Sequence, residues 1–191
     1  MVHGYADVVS GKVEIGKRVA IIGAGGIGFD VAEYLSQPPP SPTTDIARWT
    51  REWGVDMTFA QRGGLTKARV EPSPREIWLL QRTPGKPGKK LNKTTGWVHR
   101  ATLKAKGVQM LGGVTYERID DAGLHIAIDG EPRVLEVDNV VICAGQESNR
   151  KLADELIALG ITTHVIGGAD IAAELDAKRA IAQATRLGSM L

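Results

Sequence analysis

Residues 19–30 read V-A-I-I-G-A-G-G-I-G-F-D, a short apolar run that breaks into Gly23, Gly25 and Gly28. The β-branched residues Val19, Ile21 and Ile22 predict a buried strand ending at Gly23, where the chain turns tightly. Gly25 lets the backbone approach a pyrophosphate, and Gly28 lets the following helix pack closely on the sheet. That helix carries Ile27, Val31, Ala32 and Leu35 at helical spacing. Its N-terminal amides, with those of Gly23, Ala24, Gly25, Gly26, Ile27 and Gly28, form the candidate pyrophosphate site, because unpaired N–H groups and the helix dipole both favour an anion. Glycines at this spacing are common by chance, and the strand before them and the helix after them supply the specific context.

Working outward, residues 1–16 are weakly patterned and read as a lead-in segment that needs a neighbour to pack on. The first helix stops before Pro38-Pro39-Pro40, since proline lacks an amide donor and clashes in a helix interior. Residues 38–74 read as an insertion holding one helix, with Ile46, Trp49 and Trp53 on one side and expected to pack against the parent domain. A second strand, residues 76–80, ends in Gln81-Arg82, and a mobile basic stretch is expected over residues 83–93. Thr94 or Thr95 offers an N-cap to a helix ending near Gly107, followed by a third strand at residues 108–111. Residues 114–137 alternate in short runs broken by Asp-Ala-Gly and Asp-Gly-Glu-Pro, which are hairpin signals. An apolar strand at 140–143 runs into Ala144-Gly145, then a helix at 152–159, a strand at 163–166 and a long helix at 170–187.

The end of the second strand meets the adenosine ribose in such folds, where a carboxylate binds a free 2′-hydroxyl and arginine accepts a 2′-phosphate. Here Gln81 and Arg82 stand without an acid, about fifty residues beyond the glycines rather than the usual ~20. A guanidinium binds phosphate oxygens through a planar fork, so Arg82 favours NADP over NAD and over FAD. Lys93 is a further candidate for that phosphate, Asp30 for the nicotinamide side, and Ala144 and Gly145 for the cleft at the strand ends.

At 191 residues the chain holds one ordinary domain, or one domain with part of another. Its net charge of +2 demands neither a nucleic acid nor an anionic membrane as partner. No run approaches the ~20 apolar residues that span a bilayer and no signal pattern opens the chain, which makes a cytoplasmic location the expectation. The single cysteine, Cys143, allows no intrachain disulfide and too few thiolates for an iron–sulfur cluster or structural zinc, and it reads as a small core residue. Among the histidines, His99 has no evident partner for acid–base work, and no catalytic or metal-binding constellation emerges.

Four stretches carry a resemblance to a known family: G-G-I-G-F-D (25–30), K-T-T-G-W-V-H-R (93–100), D-N-V-V-I-C-A-G-Q (138–146) and I-G-G-A-D-I-A-A-E-L-D-A-K-R-A-I-A-Q-A-T-R-L (166–187). Together they resemble the C-terminal part of bacterial NADPH-dependent 2,4-dienoyl-CoA reductases, from about Gly16 onward. The resemblance implies an α/β, three-layer FAD/NAD(P)-binding (Rossmann-like) domain, a parallel sheet with a β-hairpin or meander crossover. It implies an NADPH-binding domain over residues 17–149 and, over 150–191, the end of an incomplete FAD-binding domain whose Gly168 and Asp170 contact the flavin. It further implies that FAD, FMN and a 4Fe-4S cluster belong to a longer polypeptide that includes a barrel domain. On this reading the chain accepts NADPH for hydride transfer to FAD in β-oxidation of unsaturated acyl chains, and by itself reduces no dienoyl-CoA. A free-standing NADP-dependent oxidoreductase and a non-catalytic dinucleotide-binding module are the other two readings.

Overall fold

A computed structural model describes residues 1–173 and 176–191. The chain divides into two compact units, residues 1–144 and 145–191. In chain order the first unit comprises β1 (Val2–Gly4), α1 (Tyr5–Val9), β2 (Arg18–Ile22), α2 (Gly26–Ser36), α3 (Ile46–Trp53), β3 (Glu76–Leu80), α4 (Gly96–Ala105), β4 (Gln109–Leu111), β5 (Val114–Asp120), β6 (Gly123–Ile128), β7 (Glu131–Leu135) and β8 (Asn139–Ile142). The second comprises α5 (Lys151–Ala158), a 3-10 turn at Gly167–Ala169 and α6 (Ala177–Gly188).

Five strands form one parallel sheet in the order β1-β8-β2-β3-β4, and β5-β6-β7 form a separate antiparallel meander. This is the mixed α/β, Rossmann-like architecture with a meander crossover expected from the sequence. Side chains alternate across a strand, so each central strand feeds two cores. Val19, Ile21, Ile77, Leu79 and Val141 pack with Phe29, Val31, Leu35 and Leu103 of the helical layer. Ala20, Trp78, Leu80 and Val140 pack with Val114, Leu124 and Ile126 of the meander. Burial on both faces explains why these strands read as unbroken apolar runs. The β6–β7 turn places Asp129 at φ 53 and Gly130 at φ 83, the paired positive angles of a tight hairpin turn.

The structure differs from the sequence reading in several places. Val2–Gly4 of the weakly patterned N-terminal stretch joins the sheet edge through Val2↔Val140 and His3↔Val141. Residues 163–166 form no strand. The long helix expected from residue 170 begins at Ala177, with Asp176 Oδ1 accepting the Arg179 amide at 2.7 Å; residues 174 and 175 of that span lie outside the described ones. The basic stretch after Arg82 is anchored rather than loose. Leu91 packs into the helical-side core, Arg100 Nη1 donates to the Gly88 carbonyl at 2.8 Å, and Gly88 is buried against Phe29. Thr95 stands at the N-cap of α4 without a side-chain cap bond; Asn92 orders the approach instead, its Oδ1 accepting the Thr94 amide at 2.9 Å.

Candidate functional site

The strand ends of β2, β3 and β8 meet at the glycine turn. Gly23 N–H donates to the Leu80 carbonyl at 2.9 Å and Cys143 N–H to the Ile22 carbonyl at 2.8 Å, which carries the sheet register up to the turn. Gly23 has φ 111, and a Cβ there would fall 2.8 Å from the Cys143 carbonyl carbon and oxygen and 2.9 Å from the Ala144 nitrogen. Glycine is required at this position by backbone angle and by space alike. The turn then delivers Gly25 to the N-cap of α2, where no side chain caps the helix.

A Cβ on Gly25 or Gly26 would meet no atom within 4 Å, whereas one on Gly28 would overlap the Gly23 carbonyl oxygen. The first pair therefore faces open space and the third glycine faces protein. Amides of the first helical turn have no partner inside the helix, and here they adjoin that open space beside a positive dipole end. These features fit a bound pyrophosphate.

Arg82 lies two residues past β3, whose Leu80 pairs in register with Ile22 just before the turn. It is exposed and forms no ion pair among the described residues. Its charge reaches Tyr116 on β5: burial pushes the phenol up to about 12, and the guanidinium opposes that rise. The Tyr116 Oη is buried and has no hydrogen-bond partner among the described residues. Gln81 is less available than its neighbour, because its Nε2 donates to the Thr83 carbonyl at 2.8 Å and holds the loop. Lys93 is exposed in the segment leading into α4. Asp30 is exposed in the second turn of α2.

Ala144 ends the first unit, exposed, and Gly145 opens the second at φ 81. Within that second unit Gly168 lies in the 3-10 turn. The Asp170 carboxylate accepts from Gln183 Nε2 at 2.9 Å, while its carbonyl accepts from the Ser148 hydroxyl at 3.3 Å.

His99 has a partner that sequence spacing did not show. Its Nδ1 lies 2.9 Å from Glu33 Oε2, and since an ionised carboxylate only accepts, the imidazole N–H donates. The pair links α4 to α2 across 66 residues of sequence. Trp49 and Trp53 remain 41% and 37% exposed, so the insertion packs on the domain less through its tryptophans than expected. Its firmer attachment is the buried ion pair of Glu52 Oε1 with Lys106 Nζ at 2.5 Å. Cys143, packed at the end of β8, has its thiol pushed up to about 12 by burial alone.

The sequence pattern described as pyridine nucleotide-disulphide oxidoreductase matches residues 5–178. A metal reductase of Desulforamulus reducens is 25% identical over 150 residues, covering 78% of this chain and 21% of that protein. Among solved structures, a 2-naphthoyl-CoA reductase in complex with 2-naphthoyl-CoA superposes with a TM-score of 0.68 at 21% identity, covering 98% of this chain and 23% of that one. Histamine dehydrogenase from Rhizobium sp. 4-9 gives a TM-score of 0.66 at 16% identity, covering 98% and 25%. These structural likenesses concern the fold, and the chain spans about a quarter or less of the length of each of these proteins.

Proposed function

The chain belongs to the pyridine nucleotide-disulphide oxidoreductase family, whose members bind FAD and NAD(P), and we propose that it is the NADPH-receiving part of a flavin-dependent 2,4-dienoyl-CoA reductase. The observation that carries the choice of NADPH is Arg82, exposed at the end of the strand beside the glycine turn with no carboxylate in its place and no ion pair among the described residues. A free guanidinium there binds a 2′-phosphate through two parallel N–H bonds.

Each residue of the site has a separate task. The amides from Gly25 to Gly28 hold the pyrophosphate, and Gly23 keeps the turn low against Cys143 and Ala144 so that the phosphates reach the helix end. Arg82, with Lys93 adding charge, selects the 2′-phosphate. Ala144 and Gly145 shape the cleft past the strand ends, and Asp30 faces the nicotinamide side. NADPH held by these residues would supply a hydride, and FAD would be the group that takes it. Gly168 and Asp170 serve the flavin, and the remainder of the FAD domain, a barrel domain, FMN and a 4Fe-4S cluster complete the intact enzyme for β-oxidation of unsaturated acyl chains. The four family-like stretches support the dienoyl thioester as substrate, and a reductase of another CoA thioester shares the fold over 98% of the chain.

Titration of the chain with NADPH, NADH and FAD, repeated on Arg82→Ala, tests the reading. Loss of a charge-assisted bond of about 1.5–3 kcal/mol is expected to weaken NADPH by roughly 10- to 100-fold and to leave NADH unchanged. Equal affinity for the two nucleotides, unaffected by the substitution, would overturn the cofactor assignment. Stoichiometric FAD retained by the chain alone would overturn the incomplete-flavin-domain reading.

A further inference from the structure

We infer that Tyr116 is a positioning residue for Arg82 in the 2′-phosphate site: its phenolic oxygen accepts an N–H of the guanidinium when a phosphate holds that side chain. The inference rests on the NADPH reading above and adds the residue that orients its cation. Backbone bonds bring the two segments together. The Gln81 amide donates to the Leu111 carbonyl at 2.9 Å, the Val114 amide to the Gln81 carbonyl at 3.0 Å and the Gly113 amide to the Thr83 carbonyl at 3.1 Å. Arg82 is thus bracketed on both sides by the chain that leads into β5. Val114 and Tyr116, two residues apart on that strand, pack into the same core as Trp78 and Leu80 of β3. The pairing of β5 with β6 shifts register between Tyr116 and Arg118, and a bulge of this kind re-aims the side chains beside it.

The hydroxyl is the feature that packing does not explain. The ring sits against apolar neighbours, a place that phenylalanine fills equally well, yet its oxygen is buried with no hydrogen-bond partner among the described residues. A polar atom buried in this way costs stability unless something else is gained from it. Arg82 is the cation whose field reaches the phenol, opposing the burial that pushes it up to about 12. With its proton held, the phenol is neutral. A guanidinium has five N–H donors, and a phosphate bound through the fork takes two of them. A neutral oxygen can take a third and fix the plane of the fork, where a carboxylate would cancel the charge and repel the phosphate. In the free chain the Arg82 side chain is exposed to water. A bound phosphate displaces part of that water, and the buried oxygen then replaces one of its bonds.

Titration of Tyr116→Phe, Arg82→Ala and the double variant with NADPH and NADH tests the inference, with urea unfolding alongside. Tyr116→Phe removes one oxygen and is expected to weaken NADPH about three- to tenfold, the size of one hydrogen bond, with NADH unchanged and the urea midpoint no lower. In the Arg82→Ala background the same change is expected to leave NADPH affinity where it is, because the oxygen then has no guanidinium to orient. Three results overturn the inference and leave the NADPH reading standing: Tyr116→Phe binds NADPH as the parent chain does, weakens both nucleotides alike, or costs the same factor with and without Arg82. NADPH affinity indifferent to Arg82→Ala overturns that reading, and this inference with it.

Discussion

The carbonyl oxygen of Gly23 fills the place where a side chain on Gly28 would begin: a Cβ built there falls 1.7 Å from that oxygen and 3.4 Å from Leu79 Cδ1. The contact seats α2 on the sheet and sets the height of the turn at once. Gly28→Ala must lift the helix or open the turn, and a loss of about 3 kcal/mol in stability is expected, the upper range for overpacking. Gly25→Ala meets no atom within 4 Å and should keep stability within about 1 kcal/mol, yet weaken NADPH because the methyl stands where the phosphates approach. Chemical denaturation and nucleotide titration on the two variants separate the structural glycine from the binding one.

The insertion is tied to α4 by Glu52 and Lys106, whose side chains are 9% and 2% exposed. Lys106→Met strands a buried carboxylate and is expected to cost about 3–5 kcal/mol, whereas adding Glu52→Leu should recover most of that loss. A double variant no more stable than the single one would show that the packing around the pair, not its charge, holds the insertion.

Asp120 accepts from His125 Nε2 at 2.8 Å and from Arg118 Nε at 2.9 Å, and these bonds hold its carboxyl down at about 2. A carboxylate depressed in the folded state adds stability that is complete above the unfolded value and is lost as pH falls through the folded one. Urea midpoints should therefore drop from about pH 4 toward pH 2, and Asp120→Asn should make that slope shallower. Asp138 and Glu71, depressed mainly by hydrogen bonds from Arg18 and Arg48, leave part of the slope in place. An unchanged slope would remove Asp120 from the acid response.

With its thiol pushed up to about 12, Cys143 carries almost no thiolate near neutrality. Alkylation by iodoacetamide at pH 8 should run roughly a thousandfold slower than for a free thiol and reach the free rate once urea unfolds the chain. Rapid modification of the folded protein would mean that the end of β8 opens in solution.

Residues 19–30 determined by themselves the strand, the turn and the helix, since β-branched residues, one glycine at positive φ and a 3.6-residue apolar period act within a few residues of one another. The unbroken apolar runs at β3 and β8 likewise declared burial on both faces, and Asp129-Gly130 declared the hairpin turn. Tertiary structure decided what pairs with what. The register of Val2 on Val140 placed β1 at the sheet edge although its own pattern is weak. Gly88 against Phe29, and Arg100 on the Gly88 carbonyl, ordered a stretch whose lysines and prolines read as loose. Glu33 reached His99 across 66 residues, and Glu52 reached Lys106 across 54. Periodicity records which side of an element is buried, because burial repeats along the chain. The identity of a partner depends on segments brought together only by folding, and no local pattern carries it.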